Sequence, residues 1–280
     1  MKRIVAAITL VLIVLVAHGA EFEKTTYGEG SNQFVLATGS PGELGLLKAL
    51  AEQFAKRYDA QMVWVKAGTG QSLNLLRDRK VDMVMVHAPA QVDKAVRDGW
   101  ATGKTLIGSN EFFIVGPKSD PAKIASAGSA IDAYRRIADS RSKFVSRGDN
   151  SGTHQKELQI WKQIGIEPSG GWYIVTNDFM TASLKRADNE AAYFMTDSST
   201  WIMEKKVAPQ LMVHFRGDRL LVNTYHAIVA PPGATAGRNT AEQFVAFVGS
   251  PSGQEIISQY GRSSYGEGLY NDAAYARQFD

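Results

Sequence analysis

The segment FVSRGDNSGTH, residues 144–154, places an arginine, an aspartate, hydroxyl side chains and a histidine directly after a short apolar run. Two kinds of chemistry use these residue types. A serine nucleophile with a histidine base and an orienting aspartate hydrolyses esters and amides. An arginine beside hydroxyl and amide donors instead binds an anion and leaves it unchanged. The segment therefore raises two hypotheses, a Ser/His hydrolase and an anion-binding protein.

The spacing of Ser151 and His154 argues against the hydrolase. Both residues lie at the start of a predicted helix and point along its axis, so the histidine does not present a base to an exposed hydroxyl. The chain also lacks the G-x-S-x-G turn of the α/β-hydrolases. No catalytic residue is predicted, and a secreted Ser/His hydrolase remains the remote alternative.

A metal site is not expected. The chain contains no cysteine, and its five histidines include no pair at the i, i+4 spacing of a metal-binding helix. We predict a protein without metal or cofactor.

Two further turns resemble the first one in composition. ATGS at 37–40 and GTGQS at 68–72 each follow a β-rich run and precede a segment of helical period. The first amides of a helix lack intrahelical partners and bind anions, and in an open α/β sheet such helix starts gather at one edge. The three turns therefore predict one anion-binding cleft, to which the second turn also brings the hydroxyl of Thr69. The candidate ligand-binding residues are Thr38, Gly39, Ser40, Gly70, Ser72, Arg147, Ser151, Gly152 and Thr153.

The elements that position these turns follow a repeated order of short strand, polar turn and helix. In the first repeat, Ser40, Pro41 and Glu43 have the order of an N-cap, a first helical residue and an N3 residue. This order predicts a capping box with proline in the first turn and one helix reaching Tyr58. Strands that alternate with helices over this length predict an α/β fold with mostly parallel sheets flanked by helices.

Two extended stretches, 110–121 and 223–234, are apolar runs ended by proline and glycine. If they are hinge crossovers, residues 30–113 plus 227–280 form lobe I and residues 114–226 form lobe II. A single doubly wound domain with long insertions is the alternative.

The N-terminus predicts export. Lys2 and Arg3 precede an apolar run from Ile4 to Ala17, with small residues near Ala20, which is the pattern of a signal peptide over residues 1–20. The run is shorter than the ~20 residues that span a bilayer. Without a cysteine the protein is not a lipoprotein, so a periplasmic location is expected. Removing Lys2 and Arg3 lowers the formal net charge from +3 to +1, which gives no reason to expect a nucleic-acid partner.

Four strings resemble successive landmarks of the tungstate-binding components of ABC transporters. They are FVSRGDNSGTHQKELQIW, AGTGQSLNLLRDRKVDMVMVHAP, YFMTDSSTW and FVGSPSGQEIISQYG. The resemblance covers essentially the mature chain and implies a type II periplasmic binding protein with two α/β lobes. It also implies a monomer that captures a tetrahedral oxyanion, tungstate or molybdate, and delivers it to the membrane permease of an ABC transporter. In that family the arginine and the hydroxyl turn contact the anion, and these match Arg147, Ser151, Gly152 and Thr153.

The chain departs from the family in the first turn. A run like Thr-Thr-Thr-Ser is replaced by Ala37, Thr38, Gly39 and Ser40, and Leu44 stands where a serine is usual. Hydrogen bonds to charged groups contribute roughly 1.5–3 kcal/mol each, so fewer hydroxyls alter anion preference unless backbone amides replace them. Glu43 nearby repels an anion if it points into the cleft.

Asp149 keeps a phosphate-binding alternative open. Protonated phosphate offers an O–H that a carboxylate accepts, and an aspartate within this turn does so in the phosphate-binding relatives. The other interpretation is that Asp149 orients Arg147 or caps the helix. A phosphate- or sulfate-binding protein of the same fold is therefore the alternative function.

Overall fold

The computed structural model describes residues 22–280; the predicted signal peptide, residues 1–20, lies outside the described residues. The strands are β1 (Lys24–Tyr27), β2 (Asn32–Thr38), β3 (Ala60–Lys66), β4 (Met83–Val86), β5 (Thr102–Pro117), β6 (Phe144–Ser146), β7 (Tyr173–Val175), β8 (Tyr193–Asp197), β9 (Leu211–Phe215), β10 (Val222–Val229) and β11 (Asn271–Asp272). The α-helices are α1 (Ser40–Glu43), α2 (Leu46–Tyr58), α3 (Thr69–Arg77), α4 (Pro89–Arg97), α5 (Ala130–Ser140), α6 (Gly152–Gln163), α7 (Met180–Glu190), α8 (Ser198–Glu204), α9 (Arg238–Gly249), α10 (Pro251–Gln259), α11 (Arg262–Tyr265) and α12 (Ala273–Ala276). Among residues 22–280, no helix is long and apolar enough to span a membrane.

The strands form one connected path in the order β1-β3-β2-β4-β10-β5-β8-β6-β7, with β9 and β11 paired to β5. The pairs β2–β3, β2–β4, β6–β7 and β6–β8 are parallel. The pairs of β1, β5 and β10 are antiparallel. The predicted α/β class is therefore confirmed, with parallel strand groups extended by antiparallel neighbours into a mixed sheet.

The two stretches predicted as crossovers overlap the strands β5 and β10, one stretch with each strand. They pair antiparallel with Asn110 opposite Asn223. The sixteen-residue strand β5 is long enough to pair with β10 in its first half and with β8 and β9 in its second half. It thereby joins the two parallel groups that end at the candidate turns.

Helices cover these strand groups on apolar faces. Against β2 and β3, the rings of Phe34, Phe54 and Phe244 pack at centroid distances of 5.2–5.9 Å. Near β6, Tyr134 and Trp161 pack at 4.5 Å. Because these aromatic side chains are almost fully buried, the strand ends and the turns that follow them rest on rigid cores.

The first helix differs from the sequence prediction. The chain forms the short α1 and then α2, and the break lies at Gly45, whose φ of 85° is left-handed. A side chain at Gly45 would meet the hydroxyl of Tyr260, which donates a hydrogen bond to the carbonyl of Leu44 at 2.6 Å. The predicted capping box is therefore wrong: Gly39 is the N-cap, and Glu43 makes no capping bond.

Candidate anion-binding site

A small enclosed cavity of about 10 Å³ lies where the three turns meet, which is room for about one water molecule. Its walls come from the ends of β2, β3, β4 and β6 and from the turn before α7. The lining residues are Thr38, Gly39, Ser40, Pro41, Glu43, Gly68, Thr69, Met85, His87, Arg147, Ser151 and Phe179. The structure thus brings Thr38, Gly39, Ser40, Arg147 and Ser151 of the candidate residues to one cavity.

Arg147 supplies the fixed positive charge of this cavity. Its side chain is 4% exposed, and Nε donates to the carbonyl of Asp178 at 3.1 Å. One Nη donates to the carboxylate of Asp149, and the guanidinium lies 5.7 Å from the ring centre of Phe179. These contacts hold the plane of the guanidinium in place and use only part of its five donors. Its remaining donors are available to a bound anion.

The carboxylate of Asp149 accepts hydrogen bonds within its own turn and does not line the cavity. While Oδ2 accepts from Arg147, Oδ1 accepts from the backbone amide of Ser151 at 3.1 Å. Both oxygens therefore have partners inside the protein. Asp149 is absent from the cavity wall, and this geometry agrees with the interpretation that it orients Arg147.

Ser151 and His154 are not paired as nucleophile and base. Ser151 is the N-cap of α6, and its hydroxyl oxygen accepts from the backbone amide of His154 at 3.3 Å. The His154 ring accepts from the backbone amide of Asn150 through Nδ1 at 3.0 Å, and burial lowers the pKa of the ring. Each side chain therefore stabilises the turn locally, and the Ser151 hydroxyl still has its own proton to donate into the cavity.

Two of the predicted hydroxyl donors are used by the backbone instead. Thr38 lines the cavity, but its hydroxyl donates to the carbonyl of Met85 at 2.8 Å. The hydroxyl of Ser72 donates to the carbonyl of Ala67 at 3.2 Å, outside the cavity wall. The wall also contains Ser40 and Thr69. Thr69 opens α3, where the first amides lack intrahelical partners. At α1, Pro41 has no amide hydrogen, and the amides of Gly42 and Glu43 donate to the carbonyl of Gly39.

Gly70, Gly152 and Thr153 lie beside the cavity rather than in its wall. A Cβ on Gly70 would come within 2.6 Å of the side-chain nitrogen of Asn150. A Cβ on Gly152 would come within 2.4 Å of the His87 ring. Thr153 is buried, and its hydroxyl has no hydrogen-bond partner among the described residues. The two glycines therefore permit close packing between the turns, and a ligand contact of their backbone amides stays a prediction.

Sequence reasoning did not assign His87, Phe179 and Lys66 to the site. His87 follows β4 at the same sheet edge as the other turns, which is the signal that could have identified it. Phe179 lies before α7 in a fourth strand-turn-helix repeat, and its ring centre is 4.9 Å from Nζ of Lys66. Lys66 in turn pairs with Glu43 at 3.0 Å.

The ion pair of Lys66 and Glu43 changes the expected effect of the Glu43 carboxylate. Glu43 lines the cavity, where its charge alone would repel an anion, but Lys66 neutralises that charge. Burial lowers the pKa of Lys66, but the hydrogen bonds and attraction of Glu43 and Glu23 together raise it above its usual value. Lys66 therefore stays charged near neutral pH, and the pair adds little net negative charge at the cavity.

A chain of side-chain amides leads from the cavity across β10 and β5. Nδ1 of His87 lies 2.9 Å from Oδ1 of Asn223. Nδ2 of Asn223 donates to Oδ1 of Asn110 at 2.7 Å, and Nδ2 of Asn110 donates to Oδ1 of Asp197 at 3.3 Å. Asp197 also caps α8 by accepting from Thr200. The cavity wall is thus hydrogen-bonded through the two crossover strands to the first turn of α8.

Comparison with known proteins places this geometry in a family. Residues 23–252 match the model of the PBP superfamily domain. The chain is 32% identical to a tungstate-binding protein TupA from Peptoclostridium acidaminophilum, over 98% of this chain and 99% of that protein. The chain belongs to the TupA family of the PBP superfamily.

Two further relatives support this assignment. The chain is 36% identical to a putative ABC transporter anion-binding protein from Haloferax volcanii, over 83% of this chain and 70% of that protein. The crystal structure of the tungstate ABC transporter from Geobacter sulfurreducens superposes with a TM-score of 0.74 at 35% identity, covering 83% of this chain and all of that one. The resemblance predicted from the four sequence strings is therefore confirmed.

Proposed function

We propose that this protein is an extracytoplasmic solute-binding protein that captures a tetrahedral oxyanion and delivers it to the permease of an ABC transporter. Tungstate is the first candidate ligand and molybdate the second. The observation that carries the proposal is the buried Arg147 guanidinium, held by Asp149 and Asp178 beside the hydroxyl groups of Ser40, Thr69 and Ser151. The relatives named as tungstate-binding proteins support the choice of ligand.

The donor set suits an anion without protons of its own. The guanidinium is charged at every physiological pH, and hydrogen bonds from a charged donor to an oxyanion are about twice as strong as neutral ones. These donors replace the hydration shell of an anion that binds where the three turns meet. The hydroxyl groups missing from the first turn are offset by Thr69 and by the free amides at the start of α3.

Phosphate is the weaker alternative because its proton needs an acceptor. Asp149 was the candidate acceptor, but both of its oxygens have partners within the turn. Glu43 is engaged by Lys66. This arrangement favours a fully deprotonated anion over hydrogen phosphate.

Catalysis by the same residues is not supported. The Ser151 hydroxyl accepts from the backbone amide of His154, and the His154 ring accepts from the backbone amide of Asn150. The histidine ring is therefore not placed as a base for the serine hydroxyl. The two PBP-family relatives named for tungstate are binding proteins. We therefore propose that the protein binds its ligand without covalent change.

The mechanism of capture is closure of two lobes, which we assign to residues 30–113 plus 227–280 and to residues 114–226. Contacts between these segments surround the cavity. Gln91 donates to Gln155 at 2.6 Å, and Lys66 lies over Phe179. A bound anion that contacts both segments stabilises the closed arrangement by its preference for that state. We propose a monomer that is exported by its signal peptide to the periplasm.

The test is calorimetric titration of the mature protein with tungstate, molybdate, sulfate and phosphate. We expect tungstate to bind most tightly and Arg147→Ala to lose measurable binding while keeping its thermal unfolding transition. Arg186→Ala is the matched control, because this arginine lies in the same segment but pairs with Glu190 at the surface. Unchanged tungstate affinity in Arg147→Ala, or tighter binding of phosphate than of tungstate by the wild type, would contradict the proposal.

A further inference from the structure

We propose that His87 couples anion capture to proton uptake: its imidazole is neutral before binding and becomes an imidazolium that donates from Nε2 to the bound oxyanion. The inference rests on the proposed oxyanion-binding function and adds a specificity-determining residue to it. It follows from where the ring lies, which ring nitrogen is occupied, and what charge the cavity would contain.

The ring of His87 is fixed in the wall of the cavity. His87 follows β4 directly, and the cavity wall includes it together with Arg147 and Ser151. One face of the ring stacks on Tyr225 of β10, with ring centres 5.0 Å apart and planes 25° apart. The start of α6 approaches the ring so closely that only a glycine fits at position 152. The imidazole therefore has little freedom to turn away from an anion.

The amide chain behind His87 determines its tautomer. The chain ends on Asp197, whose Oδ1 also accepts from the amide of Thr200, so Asn110 must donate to it through Nδ2. Asn110 then presents Oδ1 to Nδ2 of Asn223, and Asn223 presents Oδ1 to His87. An amide oxygen only accepts. Nδ1 of His87 is therefore the protonated nitrogen of the neutral ring.

Nε2 is the ring nitrogen of His87 that the amide chain leaves unused. It has no hydrogen-bond partner among the described residues, and in the neutral ring it is an acceptor. A fully deprotonated oxyanion also offers only acceptors. The two repel unless Nε2 gains a proton, after which the same contact becomes a charge-assisted hydrogen bond.

Burial, together with the nearby positive charges, keeps the His87 ring neutral until the anion binds. Burial lowers the pKa of His87 to about 4, and the positive charges of Arg147 and Lys156 lower it as well. The hydrogen bond that His87 donates to Asn223 and the charge of Asp149 act in the opposite direction. Tyr225, stacked on the ring, stays neutral because burial raises its pKa far above the usual range. An oxyanion in the cavity adds negative charge beside the ring and raises the pKa of His87.

The direction of the pH effect follows from linkage. Because the bound state holds the proton more tightly than the free state, affinity is highest below the free-state pKa of about 4. It falls as pH rises towards the bound-state pKa, by up to about tenfold for each pH unit, and then levels off. Within this window, binding takes up one proton per anion.

The experiment is calorimetric titration of the mature protein with tungstate in phosphate-free buffers of different ionisation enthalpy, between about pH 6 and 8. The dependence of the observed heat on buffer enthalpy gives the number of protons taken up. We expect uptake at the acidic end for the wild type. His87→Gln should bind tungstate more weakly, without proton uptake and with little pH dependence. His214→Gln is the control and should keep the wild-type uptake, because its ring contacts Pro117 away from the cavity.

Nitrogen-15 NMR of the histidine rings in the wild type gives a second measurement that needs no variant. Tungstate should convert Nε2 of His87 from an acceptor to an N–H signal. Tight binding of tungstate with no proton uptake and an unchanged Nε2 signal overturns the inference and leaves the proposed function intact. Failure of the wild type to bind any tetrahedral oxyanion overturns both.

Discussion

Gly70 packs directly against Asn150, so that a methyl group on its Cα would lie 2.6 Å from the side-chain nitrogen of Asn150 and 3.1 Å from its backbone carbonyl. The two residues belong to the turns after β3 and β6, one from each of the segments that we assign to separate lobes. Their contact joins the two sides of the cleft beside the cavity. We therefore expect a side chain at position 70 to hinder closure of the cleft.

Gly70→Ala should therefore weaken tungstate binding by obstructing closure. We expect a loss of about tenfold to a hundredfold in affinity, which corresponds to roughly 1–3 kcal/mol of the kind caused by overpacking. Thermal stability without ligand should change little, because Gly70 lies in α3, where alanine is a better helix former. Gly249→Ala is the control: Gly249 is also helical, and its added Cβ meets nothing within 4 Å. Equal affinities for both variants would show that the cleft closes without this contact.

Asp149→Asn tests whether Asp149 orients Arg147 or recognises a proton on the ligand. The amide cannot accept hydrogen bonds at both positions from Arg147 and the Ser151 amide, so the guanidinium loses one of its two hydrogen-bond partners and keeps the carbonyl of Asp178. We expect the affinities for tungstate, molybdate and sulfate to fall together by about tenfold or more, in line with the energy of a charge-assisted bond. Competition titration among the anions measures this. A variant that loses only phosphate binding would indicate the proton-accepting role instead.

Glu157 should make the stability of the protein depend on pH. This carboxyl group is almost fully buried, and burial raises its pKa to about 7, although Tyr173 and Trp161 donate to it. The pKa of Glu157 is higher in the folded state than in the unfolded state. Its protonated form therefore contributes to the free energy of unfolding, and this contribution is fully present below about pH 4.5. That contribution is lost as pH rises through 7, and amounts to roughly 3 kcal/mol.

Glu157→Gln keeps an acceptor oxygen for Tyr173 and removes the titration. Its melting temperature should therefore decline less than that of the wild type between about pH 5 and 8, as measured by circular dichroism. Glu167→Gln, at an exposed position in the same region, should follow the wild-type curve. A wild-type melting temperature that is flat over this range would contradict the expected titration.

Tyr260→Phe should destabilise the break between α1 and α2. The variant removes the hydroxyl that donates to the carbonyl of Leu44 at 2.6 Å, which costs about 0.5–1.5 kcal/mol of unfolding free energy. Tyr265→Phe, with a side chain that is 42% exposed, is the control and should lose less. Urea denaturation of both variants gives the comparison, and equal midpoints would show that Tyr260 does not hold this break.

The sequence predicted the parts of the site that local patterns determine. The order of strand, polar turn and helix placed Arg147 and Ser151 at a helix start, and both line the cavity. It could not reveal that the Thr38 hydroxyl bonds to Met85, because that contact joins strands brought together only by folding. The hydrogen bond of His87 could not be predicted for the same reason, although its place after β4 could have marked it as a site residue. Its hydrogen-bond partner, Asn223, is 136 residues away.

The capping box at Ser40 was the local pattern that failed. Its residue types fit, but Gly45 and Tyr260 end the helix after one turn, and the carboxylate of Glu43 pairs with Lys66. Tertiary contacts outweighed a local preference worth about 1 kcal/mol. The lobe boundaries, which depend on motion between segments, remain a proposal.

The position of β10 has a consequence for how the chain reaches its native state. β10 lies between β4 and β5, yet it follows β4 by well over a hundred residues. A nascent chain that ends before Val222 exposes two strand edges that have no native partner between them, and such edges promote aggregation. The central strand of the sheet is therefore added only after most of the chain has emerged.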